Sequence, residues 1–318
     1  MARASRGWLR FGALAATALI ATSGATVALT GCGVQQEGAD QPAAEQPADD
    51  AVGQQGDAPA SAPELVDPTD VSAATEEVGT AVGADGYTLT IDTLVVDEGG
   101  FGRAAYTLRG PVAALRGDDG RLALGTDAGL DDLQMRTATD GRPNLVCTYD
   151  ADASTDDALT GTIYFDARST DEVVGGLSWQ LLWHDENATG GGSGTASTEL
   201  VVPSKVLGAR HFTDGDAATA TLGPLGLALS TSVDTESGQF VDDLVTLHLA
   251  DGTDMVVFDA SDPSAGSSLM QSARTDGSTS YALPEGVDVL SVSSITLEGR
   301  QLSTSGEEAA SYTFTPAA

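Results

Sequence analysis

The stretch Gly86-Tyr-Thr-Leu-Thr-Ile-Asp-Thr-Leu-Val-Val96 decides the fold class. Tyr87, Leu89 and Ile91 alternate with Thr88, Thr90 and Asp92, and a period of two is what a half-buried strand requires, because successive side chains leave opposite faces. Asp97-Glu-Gly-Gly100 supplies turn residues, and Arg103-Ala-Ala-Tyr-Thr-Leu108 returns as the antiparallel partner. Working outward, strand-like runs recur at Leu145–Tyr149, Leu159–Phe165, Leu177–Trp183 and Ser197–Val202, with Asp, Gly, Ser and Thr clusters between them. Gly190-Gly-Gly-Ser-Gly194 reads as a hairpin loop, since the strand pattern continues on both sides. After Pro203-Ser-Lys205 the pattern restarts at Ala218–Leu222, Leu227–Ser232, Leu244–Leu249, Met255–Phe258, Ser280–Leu283, Val287–Leu297 and Ser311–Phe314. Ala250-Asp-Gly-Thr253 is a strong hairpin signal. Helix is expected only as a turn near Ser264–Gln271 and a turn or two within Val71–Val82. This spacing predicts an all-β protein of two β-sandwich, immunoglobulin-like domains, residues 85–205 and 206–318.

Upstream, the composition changes twice. From Gly33 to about Ala84 the chain is Gln, Glu, Asp, Ala, Pro and Gly with almost no aromatic residue or apolar period. Residues 32–84 are therefore expected to form a disordered acidic tether that buries too little to offset its conformational entropy. Pro42, Pro47, Pro59, Pro63 and Pro68 stiffen it. Ahead of the tether, Arg3, Arg6 and Arg10 precede a run from Phe11 to Gly31 without a formal charge, the layout of a secretory signal. Leu29-Thr-Gly-Cys32 resembles the bacterial lipobox, which implies a lipoprotein signal peptide at residues 1–31, cleavage before Cys32 and a diacylglycerol on its sulfur. Acyl chains contribute about 0.8 kcal/mol per buried methylene. An uncleaved signal anchor with an incidental cysteine is the alternative.

The formal charge is −33, and removing the three signal arginines leaves 11 basic against 47 acidic residues. Such a surface repels nucleic acid and anionic headgroups, so no nucleic-acid partner is expected. With Cys32 acylated, Cys147 has no partner within the chain and a disulfide framework is ruled out. Within Asn144-Leu-Val-Cys-Thr-Tyr149 it reads as a small buried hydrophobe. GC-rich coding bias and adaptation to high salt both account for the acidity.

Asp85-Gly-Tyr-Thr-Leu-Thr-Ile-Asp-Thr-Leu-Val-Val-Asp97 with Ala104-Ala-Tyr-Thr-Leu108, then Thr221-Leu-Gly-Pro-Leu-Gly-Leu-Ala-Leu229, Val245-Thr-Leu-His-Leu-Ala-Asp-Gly-Thr253 and Val287-Asp-Val-Leu-Ser-Val-Ser-Ser-Ile-Thr-Leu-Glu-Gly299, resemble a domain-of-unknown-function family. Its members form the extracytoplasmic part of membrane-anchored, anti-sigma-factor-like proteins. The resemblance runs from about Gly86 onward and implies no catalytic residues. One departure is plain: Met1–Arg10 is too short to fold around a sigma factor, so the resemblance implies an outer module carried on a lipid.

Catalytic and metal motifs are sparse. His184, His211 and His248 are scattered, with no His-Glu-x-x-His or Cys-x-x-Cys spacing for zinc. Gly-x-Ser-x-Gly is absent, and Lys205, the single lysine, has Val202 where a Ser-x-x-Lys serine would stand. A phosphate loop needs a further lysine. Asp150-Ala-Asp-Ala-Ser-Thr-Asp-Asp157 and Asp214-Gly-Asp216 offer oxygens that suit calcium, but the first lacks the glycine and closing glutamate of a calcium loop, and solvated turns are the simpler reading. Trp179 and Trp183, four apart in one strand, share a face and read as a core pair, with a sugar-stacking platform as the alternative. Asn187-Ala-Thr189 matches a glycosylation sequon that a bacterial lipobox makes incidental.

These readings predict a lipid-anchored protein on the extracytoplasmic face of the bacterial cell membrane, with no cofactor, metal site or catalytic residue. It acts as a binding, sensing or interaction module whose partners are the membrane, through Cys32, and another cell-envelope protein. A surface hydrolase or carbohydrate-active protein with paired carboxylates, and a purely structural spacer, are the alternatives.

Overall fold

The computed structural model describes residues 62–125, 129–185, 192–216, 218–231, 239–273, 278–303 and 306–317. The signal segment, Cys32, most of the expected tether and the 187–189 sequon lie outside these residues. The described chain is mostly β-strand.

Regular structure is present inside the stretch that composition assigns to the tether. Residues 62–84 carry β1 (Glu64–Val66), a single helical turn α1 (Val71–Ala74) and β2 (Glu76–Ala84). β2 hides from a period-two reading because a bulge between Glu77 and Thr80, with Gly79 at φ 65°, breaks its alternation. Val78 and Val82 reach the core, and backbone pairing to β3 (Tyr87–Val96) holds the rest.

The first sheet has the order β2-β3-β4-β7-β6, with β4 at Phe101–Arg109, β6 at Asn144–Tyr149 and β7 at Ala158–Asp166. Its pairs are all antiparallel. A three-stranded sheet of β5 (Asp132–Thr137), β8 (Leu177–Asp185) and β9 (Gly192–Ser197) contributes to the same core. Leu89, Ile91, Tyr106, Leu108 and Ile163 of the first sheet join Leu133, Met135, Trp179 and Leu181 of the second in one apolar cluster. Each leucine, isoleucine or methionine among them contributes roughly 1.5–3 kcal/mol by leaving water. β9 begins inside the glycine run that suggests a loop, because its pairing with β8 runs through the backbone and needs no side chains.

β10 (Lys205–Leu207) joins this half to the next and pairs in parallel with β1. Glu76 Oε1 accepts from the Ser204 and Lys205 backbone N–H groups at 2.9 and 2.7 Å, and Lys205 Nζ donates to Ala73 O at 3.1 Å. The segment leading into the fold is thereby strapped onto the connection between the halves.

Among the described residues the second half forms one nine-stranded sheet. Its strands are β11 (Arg210–Asp214), β12 (Ala218–Leu222), β13 (Gly226–Thr231), β14 (Gln239–Leu249), β15 (Asp254–Asp259), β16 (Met270–Ala273), β17 (Thr279–Ala282), β18 (Val292–Ser303) and β19 (Gly306–Pro316), in the order β15-β14-β18-β19-β11-β12-β13-β17-β16. Phe212, Leu222, Leu229, Val245, Leu247, Val257, Tyr281, Ile295 and Phe314 come from strands all across it yet share one core, so the sheet curls over on itself. The Ser267 and Ser268 N–H groups donate to the carbonyls of Val256 and Val257 in β15, and Leu269 N donates to Ala282 O in β17. This short segment joins the two ends of the curled sheet. Residues 264–271, which suggest a helical turn by sequence, instead form a tight turn and an extended run into β16.

Candidate functional site

The two halves meet where β3 and β7 end. After Val96 the chain turns through Asp97-Glu-Gly-Gly100, with Gly100 at φ 82° and so close to Ser169 that an added Cβ would lie 2.7 Å from its nitrogen. Across the seam, the turn Gly223-Pro-Leu-Gly226 between β12 and β13 approaches equally closely. A Cβ on Gly223 would overlap the Asp97 carboxylate, and one on Gly226 would overlap the Phe101 ring. Phe101 packs with Ala74, Val95, Leu207, Leu225 and Ala282 in a small apolar cluster drawn from both halves.

Two fully buried carboxylates sit in this seam. Asp97 Oδ1 accepts from Phe101 N and Oδ2 from Leu225 N, each at 3.1 Å, and Gly99 N is a third donor. Burial pushes the Asp97 carboxyl up to about 7 against these three donors, and the charge of Asp166 pushes the same way. Asp166, the last residue of β7, accepts from Arg168 N at 2.8 Å on its own side and from Ser280 Oγ at 2.5 Å on the other. Arg103 Nη1 reaches across to Pro284 O at 3.1 Å, and burial pulls its guanidinium below the usual arginine range.

The residues next to these acids line a cleft of about 330 Å³: Glu98 and Gly99 after Asp97, Arg168, Ser169 and Asp171 after Asp166, and His211, Thr221 and Ala228 from the second half. Glu98 Oε2 accepts from Ala209 N at 3.0 Å, while Oε1 stands 4.0 Å from His211 Nε2. His211 Nδ1 shares a hydrogen bond with Thr221 Oγ1 at 3.2 Å. Arg168 has φ 70°, a left-handed conformation that aspartate tolerates in turns but that an arginine adopts only where its surroundings impose it. Ser169 Oγ caps the short helix α2 (Thr170–Val174), fixing the wall on that side. The arrangement presents two carboxylates, a guanidinium and an imidazole around one opening, which suits recognition of a small polar molecule.

Other sequence candidates are placed elsewhere. Asp150 Oδ1 accepts from Asp152 N and Ala153 N at 2.9 and 3.2 Å, and Asp214 Oδ2 accepts from Thr313 N at 2.8 Å, so these acids brace a turn and a neighbouring strand. Among the described residues no group of three His, Cys, Asp or Glu could hold a metal ion. His248 bonds Asp254 Oδ1 and Thr296 Oγ1 within its own sheet. Cys147 is buried, and burial pushes its thiol up to about 12, which makes it inert. Trp179 is fully buried, as a core residue should be. Trp183 is only partly buried and covers Gly194 so closely that a Cβ there would overlap its ring. The two indoles are therefore not a core pair: the core ends before the strand does, and Trp183 shields a glycine of the neighbouring edge strand instead.

Sequence reasoning reads Asp97 as a turn residue and passes over Asp166 and Arg168. The usable signal is the apolar run Leu94-Val-Val96 leading straight into Asp97, which carries the strand's burial into the turn.

No family model and no curated protein matches the chain. Among solved structures, a conserved domain protein from Bacillus anthracis aligns over 79% of this chain and 94% of its own, at 11% identity and a TM-score of 0.40. A DUF4785 family protein from Legionella pneumophila aligns over 73% of this chain, at 9% identity and a TM-score of 0.20, and the alignment spans 47% of that protein. Likeness this slight carries no argument about fold or activity.

Proposed function

We propose that this is a lipid-anchored, non-catalytic binding or sensing module on the extracytoplasmic face of the bacterial membrane, with the seam cleft as its ligand site. In this reading Cys32 carries the lipid, the chain before Glu64 acts as the tether, and the two β halves are sandwich-like, immunoglobulin-type scaffolds that frame the cleft. The protein then corresponds to the outer module of an anti-sigma-factor-like regulator carried on acyl chains, with another envelope protein as its partner.

The observation that supports the reading best is Arg168. A long cationic side chain held in a left-handed conformation at the mouth of a cleft costs of order 1–3 kcal/mol that glycine would spare, and strain of this kind clusters at ligand sites. The seam carboxylates favour a non-catalytic role, since both are enclosed and engaged as hydrogen-bond acceptors.

Two measurements test it. Cys32→Ala should lose incorporation of a labelled fatty acid and leave the membrane fraction; labelling that persists on the variant overturns the anchor. Saturation-transfer NMR with free amino acids and monosaccharides should show contact with the unaltered chain and none with Arg168→Gly, which should melt no lower than the parent. Absence of transfer to the unaltered chain overturns the cleft as a small-molecule site.

A further inference from the structure

Water strongly favours the charged form of a carboxylate, and a protein interior does not. The seam encloses two such groups, contributed by the ends of two strands of one half and each hydrogen-bonded to the other half: Asp97 through Leu225 N and Asp166 through Ser280 Oγ. Enclosure beside a like charge favours holding a proton. Opening the seam would hydrate Asp97 and release it.

The surroundings offset this only in part, through the three backbone N–H donors to Asp97 and the facing Arg103. From β4, Arg103 is the cation that faces Asp97, with its Nη1 turned to Pro284 O and the Tyr164 phenol beside it. Glu98, next in the chain, directs its carboxylate to Ala209 N and toward His211 of β11. Arg168, two residues after Asp166, meets it through the backbone and lies within range of Glu172. β10 and the β12–β13 turn meet Asp97 through the backbone bridge at Leu207 and through Gly223 and Leu225, and β17 meets Asp166 through Ser280.

We propose that proton uptake at Asp97, beside the buried Asp166, latches the seam, and with it the cleft, so that the halves grip each other in mild acid and loosen toward neutrality. This regulation rests on the cleft being the ligand site. The seam itself requires only that the acids be buried.

Linkage sets the sign. Asp97 lies at about 7 when enclosed and near the ordinary 3.8 when hydrated. The latched state therefore holds more protons between these limits. Its advantage is full below 3.8, is lost as pH rises toward 7, and changes little above that.

Hydrogen exchange of the Leu225 amide, measured on the full-length chain in detergent and corrected for intrinsic exchange, reads the latch directly. Opening should increase more than about tenfold from about pH 5 to about pH 7 and level off above about pH 7.5. Asp166→Asn removes the neighbouring charge, so its rise should end at lower pH. Asp97→Asn should show no rise. A wild-type profile that is flat across this range overturns the latch while leaving the cleft reading in place, and so does a rise unchanged in Asp166→Asn, which keeps the test decisive if Asp97→Asn does not fold. A pH-dependent seam in a protein whose cleft gives no NMR transfer upholds the latch and overturns its role in binding.

Discussion

Aspartates at exposed turns and aspartates in the seam make the same kind of bond and respond to solvent in opposite ways. At the turns an Asp-x-Thr or Asp-x-Ser pattern repeats: Asp67 accepts from the Thr69 N–H and hydroxyl, Asp251 from those of Thr253, Asp259 from those of Ser261 and Asp262 from those of Ser264. Water solvates these carboxylates, and the hydroxyl and backbone donors hold Asp67, Asp251 and Asp259 below the ordinary carboxylate value. In the seam, three donors to Asp97 are outweighed by burial. Asp242 repeats this inside the second half, where burial raises it despite hydrogen bonds from Tyr281 and Thr279. What a carboxylate does in a chain with 47 acidic residues is set by where it lies, and local sequence pattern marks only the exposed kind.

The widest gap between the two regions should come from Asp97→Ala. Removing the acceptor strands three enclosed backbone N–H groups at about 1–3 kcal/mol each, so urea unfolding should lose more than about 3 kcal/mol. A loss under about 1 kcal/mol would place the seam with the exposed turns. Ser280→Ala removes one hydroxyl donor to the enclosed Asp166, and a loss of about 2 kcal/mol is expected in the same assay. The smallest effect belongs to Asp251→Asn at the β14–β15 hairpin, where the melting temperature near neutral pH should change by no more than about 2 °C. Its pH dependence has the opposite sign to the seam's: the contribution of the Asp251 carboxylate is present above the ordinary 3.8 and is lost as pH falls through its lowered value. A parent and an Asp251→Asn variant whose melting curves stay parallel down to about pH 2 would remove Asp251 from the comparison.

Strands with clean alternation are legible in the sequence. Tyr87–Val96 and Phe101–Arg109 pair as their patterns indicate, and the Asp-Gly hairpin joins β14 to β15. β2 is not, since small residues and a bulge at Gly79 erase its period, while Leu133, Met135 and Thr137 of β5 alternate in a run too polar to stand out. The seam is beyond reach for another reason. Asp97 meets Leu225 and Asp166 meets Ser280 across 128 and 114 residues, and one sequence keeps no record of which distant turn closes on which acid. The glycines of Leu222-Gly-Pro-Leu-Gly226 come so close to Asp97 and Phe101 that no side chain fits there, and nothing in their local sequence marks that approach.

The parallel pairing of β1 with β10 also has a mechanical side. A pull on the chain ahead of Glu64 enters the fold at three residues of strand, which Glu76 and Lys205 fasten to the connection between the halves. β10 also touches the end of β3 at Asp97 through Leu207, and the Glu98 N–H donates to Leu207 O at 2.8 Å. Tension on that chain is thus delivered to the junction beside the buried acids, through a strand whose Val206 also packs into the core of the first half.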